Sequence, residues 1–356
     1  MRLRLNPQTL KKLRRFREIK RGYYSFVILM AIVVVSLLGE VLINNRALVV
    51  SYEGELFFPT YTDFHPGTDF GFQYSYETNY RDLQARFEQE GGDNWVLLPL
   101  VPYSPNENHT VTGIFKADPP SLEQKHYLGT DTTSRDILAR LFYGTRSALF
   151  FSLGFLAAVY AIGISVGSAM GYLGGWFDLL FQRVIEIWSN IPFLYMVIII
   201  FSVIPATFSI STRIAILLAV MVLFSWTSMT YYMRTETYKQ KARDYVSAAR
   251  IIGASNTRII FHHVLPNTLA TMVTFMPFTI VSAITAVTAL DFLGFGLPPP
   301  TPSLGELLKQ GTENLRTAPW IVTSAFGTLV VILTLVTFIG EAVRESFDPK
   351  KFTVYK

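Results

Sequence analysis

The 356 residues are half hydrophobic, 14% aromatic and only 16% charged, far below the ~25% charge of a water-soluble domain, so an ordinary globular fold in water is excluded. Cysteine is absent, which excludes disulfides and thiol chemistry. The net charge of +5 conceals a split: residues 44–146 hold 14 acidic and 8 basic side chains, a balance of −6, leaving +11 on the rest. Such a split is a topology signal rather than a nucleic-acid signal.

Residues 1–22 carry nine Lys or Arg against Glu18 alone. Asn6 and Pro7 make a helix start. Leu10, Leu13, Phe16 and Ile19 are spaced to lie on membrane lipid while the bases meet anionic headgroups. Residues 23–43 form the first apolar run, too long for a signal-peptide core and without a convincing cleavage site, so they are expected to stay as an anchor.

Residues 44–146 are a different material: acidic, rich in proline and aromatics, with Gly91 and Gly92 in tandem. They are expected to make a small mixed lobe with short strands near Leu48–Tyr52 and Trp95–Val101. Its aromatics admit two readings, contact with a substrate or delivery protein, or packing into the lobe's own core. At its end Gly129, Thr130 and Asp131 read as a turn, and Arg135–Leu141 as a helix whose Arg135, Asp136, Arg140 and Arg146 can pair at the membrane surface.

Five more uncharged runs follow, over about 147–177, 187–204, 214–233, 268–290 and 317–340, each near the ~20 residues that a span needs. Six spans put the basic N-terminal segment and the basic loop 234–267 on one side, the cytoplasm by the positive-inside rule, and the acidic lobe on the other. The expected architecture is thus an all-α polytopic membrane protein: a segment 1–22, a first helix 23–43, an extracytoplasmic insertion 44–146, a five-helix core 147–340 containing the loop 234–267, and a cytoplasmic tail 341–356.

Within that loop the stretch Asp244–Pro266 is amphipathic. Tyr245, Val246, Ala248, Ala249, Ile251 and Ile252 recur at helical spacing. Gly253 breaks the helix, as a glycine entering the left-handed region does. Ser255 can cap a second short helix carrying Arg258, Ile259, Ile260 and His262, and Pro266 is expected to end it with Leu265 extended. In the fifth span Thr271, Thr274, Ser282 and Thr285 lie roughly on one face, either lining a polar path or hydrogen-bonding neighbouring helices, and Pro277 can kink it. Glu40, Glu186 and Asp291 fall near span ends, where water reaches them. The string from Asp291 to Pro300 and on to Glu306 reads as a rigid turn after the fifth span.

Three of these strings carry a resemblance. Ala248, Ala249, Gly253, Ile260, Leu265 and Pro266 fall at the spacing of the cytoplasmic coupling loop of ABC-importer permeases, with Ser247 where most members carry Glu. The runs His126–Asp131, Arg135–Asp136 and Tyr143–Ser147, and the string from Asp291 to Glu306, resemble the second permease subunit of oligopeptide and dipeptide importers; Ser134 replaces a glycine often found there. The acidic insertion, with Phe347, Asp348 and Pro349 near the end, narrows the resemblance to the Yej-type permeases for peptides and microcin C. It implies a type I importer permease fold in a bacterial inner membrane, a second permease subunit, ABC ATPase subunits, a periplasmic peptide-binding protein and a peptide substrate. Ser247, Ala248, Ala249, Gly253, Ile259, Ile260, His262, Leu265 and Pro266 would then meet the ATPase, with Ile259, Ile260 and His262 in its groove.

No Gly-x-x-x-x-Gly-Lys-Ser/Thr string, zinc motif or nucleophile elbow occurs, so this chain is expected to bind no cofactor and to rely on ATP and Mg²⁺ held by partner chains. Two other readings stay open. A proton-driven secondary transporter would need ionisable residues near mid-bilayer and repeated halves; an envelope enzyme would need a site among Asp63, His65, Asp69 and Glu77, whose spacing fits no metal.

Overall fold

The computed structural model describes residues 7–110, 113–205 and 207–347, with the side chains of 7–9, 269 and 270 left aside. In chain order these residues form α1 (Pro7–Glu18), α2 (Lys20–Leu37), α3 (Gly39–Leu42), β1 (Val49–Tyr52), β2 (Glu55–Phe57), α4 (Tyr80–Glu90) and β3 (Trp95–Leu97). Then come α5 (Ile137–Leu173), α6 (Gly175–Ser189), α7 (Phe193–Val203), α8 (Ile210–Lys241), α9 (Asp244–Ile251) and α10 (Asn256–Arg258). A π-helical turn over Ile259–Val264 leads into α11 (Leu265–Leu293), followed by α12 (Leu304–Glu313) and α13 (Pro319–Phe347). Asp348 and Pro349 lie outside the described residues.

Among the described residues, Lys20–Leu37, Ile137–Leu173, Ile210–Lys241, Thr271–Leu293 and Pro319–Phe347 are long and apolar enough to cross a membrane, and α6 with α7 adds a sixth span if that pair counts as one. The run over 187–204 is therefore not the single rod expected. Pro192 is extended (φ −65°, ψ 103°), and α6 and α7 are bent by 76° across the break. A proline has no N–H to continue the ladder and disfavours helix in the residue before it. At 37 residues, α5 rises ~55 Å against a ~30 Å hydrocarbon core, which leaves room for charge in its first turns.

The chain divides into two compact units. One comprises the chain up to Leu29, Ala148–Pro298 and the chain from Val331; the other comprises Met30–Ser147 and Pro299–Val330. In the first, Gly163, Gly167 and Gly171 of α5 lie against α8. A Cβ on them would come within 2.7 Å of Met229, 2.4 Å of the Thr230 carbonyl and 2.5 Å of the Arg234 carbonyl, so only glycine lets these backbones approach this closely. Around them Phe151, Phe155, Met221, Met272 and Val287 form an apolar core. Phe16 and Ile19, expected on lipid, instead face their own chain and are half-buried, whereas Leu10 and Leu13 are exposed.

In the second unit β1 is the central strand of an antiparallel sheet in the order β2-β1-β3, with Val50 opposite Phe57 and Val96. Those residues turn one face onto α4, and Val50, Phe70, Tyr80, Leu83 and Phe87 make the core. Asn79 caps α4 by accepting from the Arg81 N–H at 3.2 Å. Of the aromatics, Phe70 and Phe87 pack into the lobe's own core, while Tyr61 and Tyr76 are about two-thirds exposed. His65 contacts Thr62 and Asp69, Glu77 pairs with Arg46, and the described residues hold no group of acids and histidines suited to a metal.

This unit also buries charge. Asp131 closes the turn that precedes α5, accepting from the N–H groups of Thr133 (2.9 Å) and Arg135 (3.1 Å) and from the Arg135 side chain (2.8 Å). Asp136 then caps α5, accepting from the Ala139 N–H at 2.7 Å, so the helix expected from Arg135 starts at Ile137. Arg135 and Arg140 both reach Glu306 of α12, and Arg140 also donates to the Pro105 carbonyl at 3.0 Å. Arg140 and Asp131 have no exposed side-chain surface, so their pair is interior, while Arg146 pairs with Glu40 at 3.0 Å. Burial alone would raise the Asp131 carboxyl, but the charge and hydrogen bonds of Arg135, with the charge of Arg140, hold it below its ordinary range.

Beside this network His126 pairs with Asp136 at 2.8 Å and stacks on Tyr103 at 4.0 Å, and His109 touches His126 at 3.3 Å. Burial first, then the charges of Arg81 and His126, push His109 below the ordinary histidine value of 6.5. A group with a lowered pKa contributes stability that is full above its unfolded value and is lost as pH falls through the folded one. The unfolding temperature is expected to drop as pH falls below the ordinary histidine value of 6.5, and His109→Asn to flatten part of that drop; an unchanged slope in the variant would remove His109 from the account.

Candidate coupling protrusion and central cavity

The stretch 244–266 is built from the local signals its sequence carries. Val246 and Ala249 of α9 pack on Tyr172, Ile259, Ile260 and Val264, and Arg250 donates to the Tyr172 hydroxyl at 3.3 Å. Gly253 has φ +85°. Its N–H bonds the Arg250 carbonyl while that of Ala254 bonds the Ala249 carbonyl, the paired bonds of a Schellman C-cap. Ser255 Oγ accepts from the Arg258 N–H at 3.3 Å and so caps the next helix.

Two expectations are corrected. Leu265 is helical (φ −56°, ψ −45°), not extended, and Pro266 lies in the first turn of α11 rather than ending a helix. The wider π turn just upstream explains this: the Leu265 N–H bonds Ile260, five residues back, which relieves the clash a proline ring otherwise makes with the carbonyl four residues back. Second, Ile259 and Ile260 are buried within the chain and are not presented to a partner. His262, Pro266, Ser247, Ala248 and Gly253 are exposed, Leu265 half-buried and Ala249 buried. The outward face belongs to Ala248 with Ile251 and Ile252, which are 87% and 85% exposed. Positions 247, 248, 251 and 252 share one helical face, a signal present in the sequence that points the other way from Ile259.

A cavity of about 460 Å³ opens between α5, α7, α8 and α11. Its wall combines Phe155, Phe193, Phe224, Tyr232, Phe275 and Phe278 with Ser225, Ser228, Ser282 and Thr279, the last donating its hydroxyl to the Phe275 carbonyl at 3.2 Å. Of the four fifth-span residues expected on a path, only Ser282 lines it. Thr274 donates to the Thr271 carbonyl at 2.6 Å and Thr285 to the Val281 carbonyl at 2.9 Å, so these two hydroxyls are engaged by their own helix. Ser225, Ser228 and Tyr232 lie three and four residues apart on α8, one face by spacing. Asp178 of α6, also unforeseen, is nearly buried and held by Arg234 of α8 through bonds of 2.5 and 2.6 Å, a fork-to-carboxylate pair.

Residues 163–352 match the family described as binding-protein-dependent transport system inner membrane component. The chain belongs to that family. It is 40% identical over 350 residues, 98% of this chain and 99% of the relative, to the inner membrane ABC transporter permease protein YejE of Escherichia coli. Over 97% of this chain and 94% of the relative it is 38% identical to the peptidoglycan transport system permease protein YejE of Agrobacterium fabrum. Identity to the dipeptide transport system permease protein DppC of Haemophilus influenzae is 32%, covering 72% of this chain and 85% of that protein. This inner-membrane permease is a multi-pass transport subunit, and the matched segment takes in the 244–266 protrusion and most of the cavity wall.

Substitution at Gly253 separates shape from stability. A Cβ there meets nothing within 4 Å, so valine incurs only the strain of positive φ, about 1–3 kcal/mol. Gly253→Val is expected to reach the membrane near normal levels and lose transport, because it re-aims the cap between α9 and α10. Pro266→Ala is expected to transport almost normally, since alanine fits an already helical site. Full uptake by Gly253→Val would reduce the stretch to a loop.

Proposed function

We propose that this permease subunit moves peptides into the cytoplasm as part of an ATP-driven importer, with the face of Ala248, Ile251 and Ile252 docking an ABC ATPase. Two isoleucines more than four-fifths exposed beside a rigid glycine cap are the observation that carries this reading: such a surface needs a partner. ATP and Mg²⁺ reside on that partner, a second permease subunit lies alongside, and a periplasmic binding protein delivers the cargo. The cavity supports a peptide substrate, since its wall offers hydroxyls and aromatic faces with no carboxylate or base, a lining suited to backbone amides and tolerant of side chains. The names of the dipeptide and peptidoglycan relatives support the same class, and microcin C-like peptides fit it. Nucleic acid is not a partner.

In this reading both termini and 234–267 face the cytoplasm and 44–146 the outside. A cysteine introduced at Thr110 should react with an impermeant reagent in spheroplasts and one at Ser255 should not; the opposite pattern would overturn the orientation. Reconstituted with its partner chains, the permease should take up peptide with ATP inside and a protonophore present. Uptake that survives a hydrolysis-dead ATPase would refute the proposal.

A further inference from the structure

We propose that α1 is a binding site for anionic lipid headgroups, folded along the bilayer surface beside the start of the first span. The chain bends at Ile19, between α1 and α2. A straight helix would set Phe16 and Phe26 about 15 Å apart along its axis, yet their rings meet edge to face at 6.0 Å. Thus α1 turns back against the beginning of the apolar helix instead of projecting away from it.

Its inner face is occupied within the chain. Phe16 and Ile19 are half-buried, and the Lys12 ammonium sits 4.5 Å from the centre of the Phe347 ring. The outer face carries Leu10 and Leu13, 52% and 54% exposed, set among exposed Lys11, Arg14 and Arg17, with exposed Lys20 and Arg21 following at the start of α2; Glu18 pairs with Arg14 at 3.6 Å and Glu341 with Arg21 at 3.2 Å. Two leucines are too few to hold a helix in a membrane alone, and Lys11, Arg17 and Lys20, exposed beside the two paired arginines, are an excess of positive charge for a bundle face. Together they match an interface where apolar chains and negative headgroups meet within a few ångströms. The neighbouring helix exposes Tyr24, Phe26 and Val27, the aromatic and apolar surface expected just inside that level. This inference needs only the first span and is independent of cargo and of the ATPase.

The cysteine-free chain allows a direct test on the full-length protein. Leu13→Cys, carrying a fluorophore, is placed in nanodiscs of phosphatidylcholine alone or with about one-third phosphatidylglycerol, and quenched by a headgroup-nitroxide lipid. We expect quenching at least about twofold stronger in the anionic discs, diminished by high salt and returned to the neutral level by Lys11→Gln, Arg14→Gln and Arg17→Gln together. Equal quenching in the two unaltered samples would overturn the proposal without recourse to the variant. So would protection of the label by added ATPase subunits with no response to phosphatidylglycerol, which would assign this face to a protein.

Discussion

Arg140→Met is expected to destabilise the unit containing the lobe by about 3 kcal/mol, the size associated with breaking a buried ion pair from one side. The four charges Asp131, Arg135, Arg140 and Glu306 are balanced in pairs. Methionine preserves much of the arginine's volume but leaves two carboxylates sharing Arg135. Asp131 has no exposed surface with which to recruit water, whereas Glu306 retains 36% of its own, so the loss falls in the lower part of the range. Adding Glu306→Met should recover part of the stability, because replacing both partners by apolar groups removes the unpaired charge that truncating one leaves behind. Thermal unfolding of the purified single and double variants measures this. A double variant as unstable as the two single losses added together would mean that Arg140 acts through packing, not charge.

The largest functional effect is expected from Ile251→Asp with Ile252→Asp. Both side chains point away from the chain's own core, so the substitution removes no internal packing, and surface changes of that kind usually shift stability within about 0.5 kcal/mol. On the proposed docking face the same change puts two carboxylates into an apolar contact, where each must be desolvated without a partner. Expression and unfolding should stay normal, ATPase co-purification should fall by about tenfold or more, corresponding to at least ~1.4 kcal/mol, and uptake should fall with it. Ile259→Asp offers the contrast, since it buries charge beneath α9 and should lower expression first. Normal ATPase retention by the Ile251 and Ile252 variant would move the docking surface elsewhere.

What the sequence made legible was local. Gly253 and Ser255 announce a helix end and a helix start through their own backbone and hydroxyl chemistry, and both sit where expected. Apolar runs of span length fall where helices form. What stayed hidden depends on distant neighbours. Hydrophobicity marks Ile251, Ile252, Ile259 and Ile260 alike as apolar, and the cluster that covers Ile259 and Ile260 takes in Tyr172, more than seventy residues upstream. Glu306 is remote from Arg135 and Arg140 in sequence, and nothing local assigns it to them. The threonines of α11 show a related ambiguity: a hydroxyl in a helix can bond its own carbonyls, as those of Thr274 and Thr285 do, so spacing alone does not assign a polar stripe to a path.

The π turn at Ile259–Val264 sets a phase relation. Each residue turns a regular helix by about 100°, and a turn closed by bonds to the fifth residue back holds one residue more than regular spacing would. Removing a single residue from this segment would restore an ordinary ladder into Pro266 and rotate everything upstream by roughly that angle about the α11 axis. Carried round with α9, Ile259 and Ile260 would swing away from Tyr172 of α5, and the protrusion would lose its seat while α11 kept its place in the membrane. The bearing of the protrusion is therefore written in a residue count, and a deletion of one amino acid can disconnect it from the span without altering any side chain on its exposed face.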